Sequence, residues 1–164
     1  MSEQFDSSFA TAIPALFRSA TQSDLSKIVR ILADDPLGSK REHFSEPLLP
    51  AYMQAFQSIE SDPNNDIVLA VNHNDELLGL LQLTYIPNLT YQGRWRALIE
   101  GVRVLSVHRS RGIGQALIEH AVECARKRGC LMVQLTSDKS RADALRFYSS
   151  LGFKATHEGF KLML

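Results

Sequence analysis

The stretch from Val102 to Leu117 limits the possible folds more than any other part of the chain. An apolar strand pattern over residues 96–107 runs into a tight basic turn, and the turn opens an amphipathic helix over 113–128. Ile113, Leu117, Ala121 and Ala125 share a helix face with Ile118 and Val122. Arg126, Lys127 and Arg128 suit the negative end of that helix, and Gly129 suits the position just beyond it. Gly112 and Gly114 let the backbone turn sharply and let a ligand approach closely. The unpaired N–H groups of a helix start, with the positive end of its dipole, make a site for a diphosphate. Arg109 and Arg111 add charge at the rim. A dinucleotide fingerprint needs a third glycine near position 117, which is Leu, and a phosphate loop needs Gly-Lys-Ser/Thr, which is absent.

The rest of the chain supplies elements around this unit. Residues 1–14 read as a flexible extension and 15–164 as one domain. A short strand is expected at 16–20, with Thr21 or Ser23 capping a helix over 25–32 and Asp24 placed to close a capping box with Thr21. Residues 34–38 stop that helix, and a polar loop with Lys40, Arg41, Glu42 and His43 leads to a second helix over 50–59. Strands at 67–71 and 77–85 flank turn residues and read as a hairpin. A loop over 87–94 precedes the long strand, and Tyr85, Tyr91 and Trp95 either line a pocket or pack as a satellite cluster. After the central helix come a buried strand at 131–135, a capping-box-like Ser140 and Asp143, a helix ending at Leu151, and one or two closing strands over 153–164. The fold class is α/β, a mixed layer fold around one sheet.

Lys plus Arg and Asp plus Glu number 18 each, so the net charge is zero. This argues against broad binding to nucleic acid or to a membrane surface. No apolar run reaches a membrane span, and the first residues do not read as a leader. The two cysteines, Cys124 and Cys130, fall on different elements, which points to no disulfide, no zinc site and a reducing, cytoplasmic setting.

Arg109-Ser110-Arg111-Gly112-Ile113-Gly114 resembles the GNAT acetyltransferase signature Arg/Gln-x-x-Gly-x-Gly/Ala. Ala144 to Phe153 is similar to that family's second signature, and residues 17–25 are similar to its first strand and helix. The likeness spans residues 16–164 and implies a GNAT fold: a mixed central sheet splayed between two parallel strands, here 96–107 and 131–137, flanked by helices.

The resemblance further implies transfer of an acetyl group from acetyl-CoA to an amine acceptor, with acetyl-CoA as co-substrate. Val102 and Val104 would offer backbone bonds to the pantetheine arm, and Arg109, Ser110, Arg111, Gly112, Ile113 and Gly114 would hold the pyrophosphate. Gly101, in an apolar strand, suits a bulge. Tyr148 matches the tyrosine that faces the sulfur and is the candidate general acid. Glu100 is the candidate base. It alternates into a row with Leu98 and Val102, where burial would raise its pKa, and the competing reading is a structural carboxylate paired with Arg94, Arg96 or Arg103. Arg141 stands where the family often has Asn and is a weaker cofactor candidate. His43, His108 and His157 are expected to be bland, with His108 exposed. A homodimer is compatible with the family. The alternatives are a module that binds acyl-CoA without catalysis and a transferase for a different acyl group; the acceptor, a small-molecule, peptide or protein amine, is left open.

Overall fold

The structure, a computed structural model, describes residues 15–34 and 38–164. The expected N-terminal extension and part of the stop after the first helix lie outside the described residues. The elements, in chain order, are β1 (Leu16–Ser19), α1 (Leu25–Leu32), α2 (Pro50–Ser61), β2 (Asn65–Val71), β3 (Leu77–Ile86), β4 (Arg96–Val104), α3 (Ile113–Lys127), β5 (Met132–Leu135) and α4 (Ala142–Ser150). One five-stranded sheet carries the strands in sequential order. All neighbours are antiparallel except β4 and β5, which run parallel because α3 returns the chain between them.

Two apolar layers sandwich the sheet. On one face Val68, Leu83, Ala97 and Ile99 pack against Ile113, Leu117, Ile118 and Ala121 of α3. These α3 residues are the face that the helical spacing gives. On the other face Leu69, Val71 and Leu80 pack against Ile28 and Ile31 of α1, and Leu25, Val29 and Phe56 join α1 to α2. Adjacent β2 residues thus serve opposite layers, as a period of two requires. The start of α1 is tied by Asp24, which accepts from the Thr21 backbone N–H at 2.9 Å and pairs with Arg18 at 2.8 Å. Arg18 holds the Asp24 carboxyl well below the ordinary carboxylate range, against the opposing effect of burial.

Three expectations need correction. Ser140 does not cap α4 with Asp143: its hydroxyl and N–H both go to Asp138, at 2.7 and 3.0 Å, and Arg141 occupies the cap position. The residues from 105 to 107 are not strand. The Leu105 N–H still reaches the Leu78 carbonyl at 3.0 Å, but Ser106–His108 then tighten into a 3₁₀ turn that redirects the chain. The closing strands over 153–164 do not form, and this segment carries no helix or strand.

Candidate active site

The site grows from a defect in β4. Gln82 pairs with Glu100 and Leu80 with Arg103, so between these pairs β3 spans 80 to 82 while β4 spans 100 to 103. The extra residue is a bulge, and Gly101 within it has φ +61°, a conformation that favours glycine. A Cβ built at Gly101 meets nothing within 4 Å, so the bulge borders open space.

The bulge resets the alternation of the strand. Ala97 and Ile99 face the α3 layer before it, and Val102 and Val104 pack against the same layer after it. Glu100 therefore does not share a row with Val102, contrary to the sequence reading. Nor is Glu100 buried: it is exposed, and no ion pair to Arg94, Arg96 or Arg103 is formed with it among the described residues. Neither the buried base nor the structural ion pair describes it.

Pairing between β4 and β5 covers only Arg96–Met132 through Ile99–Leu135. Past those residues the two parallel strands have no ladder, and β4 from Glu100 to Val104 has no strand partner toward β5; the Val102 and Val104 carbonyls accept instead from the Arg103 and Arg109 side chains at 2.9 and 3.3 Å. A splayed gap thus begins at the bulge, as the family resemblance implies.

The turn after β4 faces this gap. Ser110 has φ +60° and Gly112 φ +79°, two left-handed positions separated by Arg111. Gly112 occupies the N-cap of α3 and offers no side chain to its amides. Among the described residues no acceptor meets the backbone N–H groups of Ser110, Arg111, Gly112, Ile113, Gly114 or Gln115. Ile113 is fully buried and anchors the turn. A Cβ at Gly112 would meet nothing within 4 Å, so the space in front of the amides is free. One at Gly114 would touch Val104 at 3.6 Å and Phe147 at 3.5 Å, which marks where α3 crosses β4 closely. This is a concave row of donors at the positive end of a helix dipole, and it suits a diphosphate.

The arginines of the turn differ. The Arg109 side chain folds back, with Nε donating to the Val104 carbonyl and Nη2 to the Asp34 carbonyl, each at 3.3 Å. Arg111 is exposed. Asp34 also accepts from the Ser106 N–H at 3.3 Å, so the end of α1 braces the turn. Sequence reasoning missed Asp34, since it lies far away along the chain and carries no motif.

Tyr148 of α4 lies against the core, with ring centroids 5.1 Å from Phe147 and 6.0 Å from Phe153. Burial pushes its phenol pKa up, and the guanidiniums of Arg141 and Arg103 pull it part of the way back. Arg103 is on β4 past the bulge and Arg141 is on the loop leaving β5, and the charge of each acts on the phenol. The sequence reading had Arg103 only as a partner for Glu100.

The remaining candidates fall around the gap or away from it. Tyr52 of α2 donates to Glu42 at 2.9 Å and accepts from the His43 N–H at 3.1 Å, which fixes the 38–47 loop. Arg41 of that loop reaches Asp138 beyond β5 at 3.5 Å, linking two loops across the mouth. His157 hydrogen-bonds its neighbour Thr156. His108 is half-buried rather than exposed, since the 3₁₀ turn folds it inward. Tyr85 and Trp95 lie under the Arg128 guanidinium at 5.1 and 6.0 Å, at the end of β4 opposite the bulge, and Tyr91 is exposed. Tyr85 and Trp95 thus share one cation while Tyr91 stands apart from them. Cys124 and Cys130 are both free. No helix among the described residues is long and apolar enough to cross a membrane.

Comparison with known proteins decides the family. The profile of the acetyltransferase (GNAT) family matches residues 27–153. The chain belongs to the GNAT acetyltransferase family. It is 33% identical over 110 residues to the aminoalkylphosphonate N-acetyltransferase of Salmonella typhimurium, covering 67% of this chain and 70% of that protein. It is 31% identical over 94 residues to the streptothricin acetyltransferase of Streptomyces lavendulae, covering 56% of this chain and 46% of that one. Among solved structures, a transcriptional regulator from Bacillus halodurans C-125 superposes with a TM-score of 0.89 at 52% identity, covering 92% of this chain and all of that one, 100%. A GNAT domain with such relatives is a transferase.

Proposed function

We propose that this GNAT protein is an N-acetyltransferase that moves the acetyl group of acetyl-CoA directly to an amine, in the cytoplasm. The observation that carries this reading is the row of unpartnered amides from Ser110 to Gln115 beside the part of β4 that has no strand partner toward β5. The main chain of Val102 and Val104 would hold the pantetheine arm as a partner strand would. The amides of Ser110 through Gly114 would hold the pyrophosphate, with Arg111 adding charge; the Arg109 N–H is engaged by the Ser106 carbonyl. The co-substrate supplies an activated thioester.

The residues of this chain do the proton work. An amine attacks only once it has lost a proton. Glu100, exposed at the bulge, would take that proton through a water rather than as a desolvated base. The departing sulfur needs a proton. Tyr148 would supply it, since burial keeps its phenol protonated through neutral pH. Arg103 and Arg141 stabilise the phenolate left behind.

The acceptor is a small-molecule or peptide amine. Two relatives are named for small acceptors, an aminoalkylphosphonate and streptothricin. The loop fixed by Tyr52 and the Arg41–Asp138 link would wall the acceptor side. The test is release of free CoA across a panel of diverse amines, run with acetyl-CoA and with longer acyl-CoA thioesters. Turnover with acetyl-CoA supports the proposal. Binding of acetyl-CoA without turnover on any amine favours the non-catalytic module, and preference for a longer chain favours a different acyl group.

A further inference from the structure

The whole chain is neutral, but the surroundings of the loop that leaves β5 are not. This loop begins after Leu135, the last β5 residue paired with β4, and so opens on the gap. Several segments meet on it. Asp138 pairs with Arg41 of the 38–47 loop at 3.5 Å, and Lys139 pairs with Glu158 of the closing segment at 2.5 Å. The Arg141 N–H donates to the Asp138 carbonyl at 3.0 Å, which folds the loop back toward α4.

The carboxylates of this region already have partners. Glu42 accepts from the Tyr52 hydroxyl, and Glu158 from Lys139. Asp138 accepts from the hydroxyl and the N–H of Ser140 as well as facing Arg41. Two of the cations have no such partner. Arg141 and Lys161 are exposed, and neither pairs with a carboxylate among the described residues. Both act on the site through their charge. Ser140 foremost, with Arg41 and Lys161 adding to it, holds the Asp138 carboxyl below its ordinary value. The charge of Arg141 acts on the Tyr148 phenol, against the larger effect of burial.

An ammonium group that needed a carboxylate here would have to displace an arginine, a lysine or a tyrosine. An oxyanion meets two cations that are not engaged. A guanidinium offers parallel N–H groups that match a carboxylate or a phosphate, and a lysine adds a point charge.

We propose that the acceptor amine also carries a negatively charged oxyacid group on a short chain, and that Arg141 and Lys161 hold this group while the amine nitrogen meets the thioester. This inference deepens the acetyl-transfer reading and rests on it. The deprotonated nitrogen forms a bond to the acetyl carbon as the carbon–sulfur bond breaks. The amine proton leaves through water toward Glu100, and the sulfur takes the Tyr148 proton. The oxyanion takes no part in these bond changes. It sets position, and a second positive group in its place is repelled.

The experiment compares short acceptors that differ in the group opposite the amine. β-Alanine and phosphoethanolamine carry an oxyanion there, ethanolamine is neutral and ethylenediamine is cationic. kcat/KM is measured for the unaltered protein, Arg141→Gln and Lys161→Gln. The oxyanion amines should exceed ethanolamine by about tenfold or more, with ethylenediamine poorest. In each variant the gap over ethanolamine should shrink severalfold, and taking this ratio within one variant cancels any loss in the chemistry itself. A preference for ethylenediamine, or a gap untouched by both substitutions, overturns the proposal. So does an acetyl-CoA KM that rises in Arg141→Gln with the acceptor ratio unchanged, which would give Arg141 to the co-substrate. Calorimetry of phosphoethanolamine on the protein saturated with CoA separates this inference from the reading beneath it. Binding that is lost in Arg141→Gln, without turnover of any amine, supports the anion site while the transfer reading fails. Turnover without preference for an oxyanion supports transfer and overturns the anion site, and the absence of both binding and turnover overturns both.

Discussion

The two halves of β4 are built from similar residues and end up with opposite uses. Arg96–Ile99 is paired on both edges, to β3 and to β5, and its Ala97 and Ile99 are fully buried. Beyond Ile99 the strand keeps β3, loses β5, bulges at Gly101 and exposes Glu100. The first half holds the fold together. The second gives up its ladder to β5, and the proposed co-substrate would take the place of that strand. Burial and pairing, not residue type, separate scaffold from site, since Val102 and Val104 are as apolar as Ile99.

Five substitutions test this contrast. The largest effect is expected at the open half. Tyr148→Phe should lower turnover at least tenfold, toward the ~10²–10⁴ that a general acid contributes, with little change in acetyl-CoA affinity. The raised pKa sets the sign of the pH dependence. The phenol is protonated below its folded pKa, so the wild-type rate should fall as pH rises through that value, and the Phe variant should lack this alkaline fall. An unchanged rate with the preferred amine would remove Tyr148 from the chemistry.

At the closed half, Ile99→Ala should cost about 2–5 kcal/mol of stability, read from the denaturant midpoint, because it opens a cavity between β4 and α3. Glu100→Ala, one residue on, should stay within about 0.5 kcal/mol. Equal losses at the two positions would erase the distinction between the halves.

Gly112→Val puts a branched side chain at φ +79° and into the space before the amides. Acetyl-CoA affinity measured by calorimetry should drop about tenfold or more, each tenfold being 1.4 kcal/mol. Undiminished affinity would place the pyrophosphate elsewhere. The smallest effect is expected for Glu100→Gln, which should lower turnover severalfold with acetyl-CoA affinity unchanged. Undiminished turnover would mean that another group, or solvent alone, takes the amine proton.

The elements carrying a long periodic signal were legible in the sequence. The face of α3, its basic end, the β2–β3 hairpin and the Thr21–Asp24 cap all follow from local spacing and local hydrogen bonds. The two-glycine turn was equally legible, because left-handed backbone and bare amides at a helix start are properties of a few adjacent residues. The cap of α4 misled, since Asp138, two residues before Ser140, captured both of its donors at shorter range than Asp143. The closing strands misled for a different reason. The alternation at 160–164 is present, but a strand exists only when another strand pairs with it.

By itself the sequence determined the α/β layering, the GNAT signatures and the two-glycine turn at the start of α3, because each depends on neighbours within a few residues along the chain. Only the tertiary structure decided which side of β4 each residue takes after the bulge. It also exposed Glu100 and left the outer edge of β5 without a partner among the described residues. These outcomes depend on register between strands distant in sequence, where one extra residue reverses every side chain that follows.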